Sequence, residues 1–236
     1  MVLNNFCINT YLSPGIIGEN LETDYEIDQY LKSISSNPLV EIVSHSYTHE
    51  PYAGKNVSWQ EQNLEASLVT IEDVTSVVPR SFIPPENSYD ENTVAVEVKY
   101  NLTVMSAQCT WNLTLSNTTI SCGVGSEVVA PNITWNGIAM LPAGAVLGNT
   151  SYWEDFSGEA SVENAVAWIN AQISGQGFSV LMLHPQEFAK GEDLNEDCVD
   201  LDEDKLNVLK DLIEYGKDKW QFMTFQNAKT YFESLA

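Results

Sequence analysis

The chain has 236 residues, of which 44% are apolar, 10% aromatic and 18% charged; this balance describes one ordinary globular domain and excludes a disordered chain, a fibre or a repeat array. Ten basic against thirty-three acidic side chains give a formal charge of −23, which argues against nucleic acid, an anionic membrane or a polyanionic substrate as the partner. No apolar run approaches the eighteen or so residues of a spanning helix, and the opening Met1-Val2-Leu3-Asn4-Asn5 lacks the basic flank and apolar length of a signal peptide.

Segments with strand character alternate with helical patterns almost to the end, which predicts an α/β fold. Asn5 to Tyr11 reads as a strand, closed by a Ser13-Pro14-Gly15 turn. A helix follows from Thr23, with Tyr25, Ile27, Leu31 and Ile34 as its apolar face and Asn37-Pro38 as its stop. Leu39 to Ser44 is a second strand, and Ser58 to about Val77 a long helix opening on a Ser58-x-x-Glu61 capping box. Arg80 to Ile83 is a third strand, ended by Pro84-Pro85; Asp90 to Lys99 is a short helix leading into a strand at Leu102 to Ser106. Residues 107 to 158, rich in Gly, Asn, Thr and Trp, read as loops and irregular strands. Regularity returns with a helix at Ala160 to Ile173, a Gly175/Gly177 break and a buried-type strand at Phe178 to Leu183. A helix from about Asp202 to Tyr215, a short strand at Gln221 to Met223 and a last helix from Gln226 to Leu235 complete a single predicted domain over 1–236.

Two features point to the secretory route. N-x-[ST] sequons stand at Asn56, Asn101, Asn112, Asn117, Asn132 and Asn149, five of them between 101 and 149. Cys7, Cys109, Cys122 and Cys198 lack metal-ligand spacing, so disulfides or inert buried thiols are the alternatives, with Cys109–Cys122 the favoured pair if bridges form.

Each of the three histidines lies at or just after the end of a predicted strand: His45 and His49 after Leu39 to Ser44, and His184 after Phe178 to Leu183. In β/α folds the carboxyl ends of strands are where ligands and catalysis collect. A spacing of four lets His45 and His49, on one helical turn, face a common point, as a zinc ion requires.

On three segments the chain resembles the polysaccharide deacetylases of the NodB-homology class, the family 4 carbohydrate esterases. Ser44 to His49 is similar to the H-[ST]-x-x-H metal motif, Phe82 to Tyr89 to the F-R-P-P-x-G-x-x motif that walls the pocket, and Leu181 to Pro185 to the terminal L-x-L-H-P motif. The resemblance implies an irregular (β/α) barrel of six or seven strands. It also implies Zn²⁺, or another divalent ion such as Co²⁺, on His45 and His49, and His184 as general acid. The substrate would be an N-acetylated glycan bordered by Pro85, Glu86, Tyr89 and Leu183, and Trp111, Trp135 and Trp153 are further surfaces for sugar stacking.

The chain departs from the family in two places. Family members carry an early strand ending in T-[FY]-D-D, one Asp acting as base and the other completing the metal triad. Here Asp24 and Asp28, the only Asp residues upstream of His45, fall in a predicted helix. Asn5 to Tyr11 resembles the family's next strand, so the chain begins one β/α unit late and is expected either to be truncated or to be a reduced, non-catalytic descendant. At Ile83 the family has an Arg that pairs with the catalytic Asp. Glu86 is chemically able to supply a missing carboxylate, although a solvated loop residue is the plainer reading; Arg80 reads as a surface ion-pair residue rather than a substitute Arg. Two functions therefore stand: a secreted metal-dependent N-deacetylase acting on a chitin-type or peptidoglycan-like polymer, and a catalytically silent carbohydrate-binding protein on the same scaffold. Expressed behind a signal peptide in a eukaryotic secretory host, the chain is expected to gain N-glycans, chiefly within 101–149. A mass unchanged by glycosidase, together with four alkylatable thiols, would contradict that compartment.

Overall fold

The computed structural model describes residues 11–107, 112–115, 118–121, 134–135, 138–141, 145–146, 162–184, 188 and 201–235. The expected strand at 5–11 lies almost wholly outside these residues, as do all four cysteines. The chain divides into two compact units, Tyr11–Pro142 with Met223–Ala236, and one built on Ala143–Phe222.

In the first unit β1 (Gly15–Ile16), β2 (Val43–Ser44), β3 (Ser81–Phe82), β4 (Val104–Met105) and β8 (Ile138–Met140) lie side by side in parallel, and β7 (Thr134–Trp135) pairs antiparallel with β8. The register runs Ile16↔Ser44, Ser44↔Phe82, Phe82↔Met105 and Met105↔Met140. β2, β3 and β4 are buried at every residue, as parallel strands covered on both faces must be. This is the expected α/β fold with a parallel sheet. Ile138–Met140 is a full member of that sheet, although its surroundings read as irregular. β5 (Asn112–Leu115) and β6 (Thr118–Ser121) form a separate antiparallel hairpin.

No turn forms at the predicted Ser13-Pro14-Gly15: Gly15 opens β1, and the residues just before it already bond to the segment leading into β2. Leu12 bridges Val40, the Pro14 carbonyl accepts from Val43 N–H at 3.0 Å, and the Ile16 carbonyl accepts from His45 N–H at 2.8 Å. Proline is tolerated because β1 is the outermost strand of the described sheet, where a missing N–H costs no ladder bond.

Between β1 and β2 stand α1 (Gly18–Thr23) and α2 (Tyr25–Ile34), separated by Asp24, whose side chain accepts from Glu26 and Ile27 N–H. Of the expected apolar face Leu31 and Ile34 are buried, but Tyr25 is 74% exposed and Ile27 37%, and Leu21 of α1 is buried instead. α3 (Val57–Thr75) joins β2 to β3; its N-cap is Asn56, accepting from Trp59 N–H at 2.9 Å, not the expected Ser58-Glu61 box. A polar cap binds whichever orphan N–H the entering chain presents, and the cap falls two residues earlier than the pattern suggested. α4 (Glu91–Lys99) joins β3 to β4 behind an Asp90–Thr93 capping box. α7 (Phe225–Leu235) is held by Gln226: its N–H donates to Glu41 Oε2 at 2.9 Å, and its side-chain amide donates to the Arg80 carbonyl, Ser81 Oγ and Thr103 Oγ1. Residues 221–223, expected as a strand, have irregular backbone.

In the second unit β10 (Leu181–Met182) pairs in parallel with β9 (Ala145–Val146). α5 (Val162–Gln176) ends at Gly177 (φ 85°), and α6 (Glu203–Gly216) starts from an Asp202 cap. Ala165, Ile169, Phe188, Leu206, Leu209 and Leu212 form its core. Among the described residues no helix is long and apolar enough to cross a membrane.

One buried group is out of place. Glu97, on the inner face of α4, is 0% exposed and neither carboxylate oxygen has a hydrogen-bond partner among the described residues. Burial pushes its carboxyl well above the ordinary range, because desolvation penalises the charged form. The native state therefore keeps a proton that the unfolded chain releases above about pH 4.3. Stability from this group is fully present below that pH and is lost as pH rises toward the raised native value. Glu97→Gln is expected to gain stability relative to wild type progressively between pH 5 and pH 8 in denaturant melts; a pH-independent difference would show that the acid is not held protonated.

Candidate functional site

The carboxyl edge of the parallel sheet carries two loops, His45–Asn56 after β2 and Ile83–Asp90 after β3. His45 is half-buried, and its ring Nδ1 lies 2.6 Å from the Ile83 carbonyl oxygen. A carbonyl can only accept, so Nδ1 carries the proton and the lone pair is placed on Nε2. His49 is exposed, and the two ring centroids are 4.8 Å apart with planes at 70°. The expected helical turn is absent: Ser46 (φ 69°) and His49 (φ 55°) are both left-handed. The rings meet because a tight loop turns the chain back, not because a helix stacks residues four apart.

That loop is tied at nearly every peptide. Ser46 is buried and its Oγ accepts from His49 N–H at 3.0 Å. The Ser46 and Tyr47 carbonyls accept from Gly18 and Glu19 N–H, both at 3.0 Å. Asn63 of α3 accepts from Tyr47 N–H at 2.9 Å and donates to Thr48 Oγ1 at 2.8 Å, and the Ser44 and Ser67 hydroxyls share a hydrogen bond at 2.9 Å. Asn63, on the buried stripe of α3, was not anticipated from the sequence; the only available signal was a polar residue at a core-facing helical position.

The second loop is stitched to the first. Ser88 accepts from Tyr52 N–H through its carbonyl and from Ala53 N–H through its Oγ, and Asp90 accepts from Gly54 N–H at 2.9 Å. Burial alone would raise the Asp90 carboxyl, but hydrogen bonds from Gly54, Thr93 and Gln60 bring it below its ordinary value. Pro84 and Pro85 are buried. Glu86 (φ 53°) and Asn87 (φ 56°) are left-handed, with Glu86 exposed. Four of the six non-glycine residues with positive φ among those described thus lie in these two loops. Such residues cost roughly 1–3 kcal/mol each and gather at functional sites. Tyr89 packs against Val94, Met105 and Ile138, and burial, then the Glu97 charge, raises its phenol.

Ile83 places an apolar side chain where the resemblance implied an Arg. A Cβ built on Gly15 would meet Ile83 Cδ1 at 3.1 Å and His45 Cβ at 3.3 Å. Arg80 donates to the Asn101 carbonyl at 3.0 Å rather than making the expected ion pair. Among the described residues no group of three His, Cys, Asp or Glu could hold a metal. Neither Glu86 nor Asp24, whose carboxylate caps α2, joins the histidines in such a group. The ring centroids lie close enough for the two imidazoles to share one divalent ion at about 2.0–2.1 Å, and the Ile83 carbonyl would be the outer partner that orients the first of them.

In the second unit Leu183 packs on the α5–α6 core, and the half-buried His184 follows β10. Pro185, Trp111 and Trp153 lie outside the described residues.

A parallel sheet with helices in the connections between its strands defines the fold class. The same fold is found in a Mycobacterium smegmatis protein classed as a polysaccharide deacetylase (15% identity, TM-score 0.62, covering 99% of this chain and 75% of that one). It is found also in a CE4 family pseudoenzyme from Bacillus anthracis (14%, 0.54, 94% and 55%). A third case is a family 4 acetyl xylan esterase from Clostridium thermocellum in complex with a cobalt ion (12%, 0.54, 98% and 81%). The chain thus spans about half the length of the Bacillus pseudoenzyme. None of the curated proteins matches it. Residues 9–105 match the model of the polysaccharide deacetylase family.

Gly18 is the tightest point of the loop's support: a Cβ there would lie 2.7 Å from Tyr47 Cδ2 and 3.2 Å from the Ser67 backbone. Gly18→Ala is expected to cost about 1–3 kcal/mol, the usual penalty of overpacking, and to speed proteolysis within 45–56. Unchanged urea midpoint and cleavage would mean the loop does not depend on this approach.

Proposed function

We propose that the chain is a divalent-metal-dependent deacetylase of N-acetylated glycans, such as a chitin-type or peptidoglycan-like polymer, working in the secretory or extracellular space. The observation that carries the reading is the His45–His49 pair, 4.8 Å apart, with His45 Nδ1 fixed by the Ile83 carbonyl. A bound Zn²⁺ or Co²⁺ would supply Lewis acidity and a water of lowered pKa. His45 and His49 are the residues that would hold it. His184 is assigned the proton for the departing amine, a task suited to an imidazole near neutral pH. Pro85, Glu86, Tyr89 and Leu183 are assigned to the substrate wall. An uncharged acetylated sugar also suits a chain of net charge −23, which would repel a polyanion. Support for the compartment is the sequon cluster alone.

A second reading, glycan binding without turnover, is favoured by Ile83 and by the lack of a third metal donor among the described residues. Two imidazoles hold an ion weakly. Acetate release from a chitin oligomer with added Zn²⁺ or Co²⁺ separates the two. Slow, metal-dependent release that vanishes in His45→Ala and falls in His184→Ala is expected. Oligomer binding with no acetate released would establish the second reading, and neither binding nor release would defeat both.

A further inference from the structure

Asn63 stands on α3, more than a full helical turn from the helix start, and is only 7% exposed. All three of its side-chain hydrogen bonds among the described residues go to the histidine-bearing loop and its continuation. Its Oδ1 accepts from the Tyr47 N–H and from the Tyr52 hydroxyl, each at 2.9 Å, and its Nδ2 donates to Thr48 Oγ1 at 2.8 Å. A peptide N–H can only donate, so the orientation of the amide is determined by its partners. Tyr47 and Thr48 lie between the two histidines, and Ser46 and His49, on either side of them, are the left-handed residues of the loop.

From this we infer that Asn63 is the positioning residue that sets the separation of the His45 and His49 rings, holding a metal-binding pair in register from the neighbouring helix. The inference rests on the metal reading of the pair proposed above. Only an amide serves both contacts as they stand, since one end must accept from a peptide N–H while the other donates to a hydroxyl. A leucine at 63 would strand a buried Tyr52 hydroxyl and the Tyr47 N–H together. An aspartate would keep both acceptor contacts, and the Thr48 hydroxyl could turn to donate to it, so partial rescue is expected from that variant.

The test is Co²⁺ titration of the whole chain, read by the visible absorption band for both affinity and spectral shape, at a temperature where circular dichroism shows each variant folded. Wild type should bind with a signal that His45→Ala and His49→Ala remove. Asn63→Leu should weaken affinity about tenfold or more, the loss typical when an outer partner of a metal site is removed, and should change the band shape. Thr48→Val should weaken it less, and Asn63→Asp should recover part of the loss. Ile71→Ala, a core truncation two turns further along α3, should lower stability and leave Co²⁺ affinity unchanged. If Asn63→Leu does not fold, Thr48→Val decides. Wild-type affinity in both Asn63→Leu and Thr48→Val, or an equal loss in Ile71→Ala, would overturn the positioning role. A wild type without histidine-dependent Co²⁺ binding would instead defeat the metal reading itself, and the positioning role with it.

Discussion

The turn between His45 and His49 is the constraint on which the rest of this molecule hangs. Two imidazoles four residues apart meet here without a helix, which requires left-handed backbone at Ser46 and His49. Left-handed conformations are unfavourable for residues with a Cβ, and they persist only where the surroundings over-determine them. The surroundings do so through polar groups taken from two helices. The α1 N-terminus gives Gly18 and Glu19 N–H to loop carbonyls, and α3 turns Asn63 and Ser67 inward toward the loop and the strand before it. These buried polar groups would be costly unpaired, so the loop and α3 stabilise one another.

The sheet delivers the loop to its place. In the described sheet β1 to β4 lie in chain order, each parallel to the last, so the connections leaving β2 and β3 emerge side by side at the carboxyl edge. The parallel register then brings the Ile83 carbonyl to the His45 ring, because Ser44 and Phe82 are partners and Ile83 N–H already donates to the Ser44 carbonyl at 2.9 Å. Orientation of the first imidazole is therefore a by-product of strand pairing. Ile83 has a second consequence through its side chain, which packs toward Gly15. An apolar residue there leaves the histidine pair with a backbone partner on that side and offers no cation to a carboxylate base.

Most helices were legible because their apolar spacing and their stops are local: α3, α4, α5, α6 and α7 lie within a few residues of their expected bounds. The failures have physical causes. Pro14 looked like a turn because proline removes a donor, and only the edge position of β1 makes that harmless. Asn56 displaced Ser58 as the cap because the chain's direction of entry is a tertiary property. Ile138–Met140 was hidden in a segment without periodicity, since a three-residue buried strand has no room to show any. His45 and His49 stood out by a strand end and by the motif they resemble, but the reason their rings meet was not legible. Nothing in Ser46-Tyr47-Thr48 announces left-handed backbone. Gln60, Asn63 and Ser67 on the inner face of α3 were visible as polar residues at core spacing, and that mismatch between pattern and chemistry was the one local trace of the loop they hold.

His45 and His49 are proposed to act as a pair of ligands to one divalent ion. X-ray absorption at the zinc edge on the zinc-loaded, dialysed chain addresses this proposal without reference to turnover. An ion shared by the two rings gives a shell at about 2.0–2.1 Å with the outer scattering of two imidazoles, falling to one or none in His49→Ala. A shell dominated by sulfur at about 2.3 Å, or no zinc retained after dialysis, would contradict it.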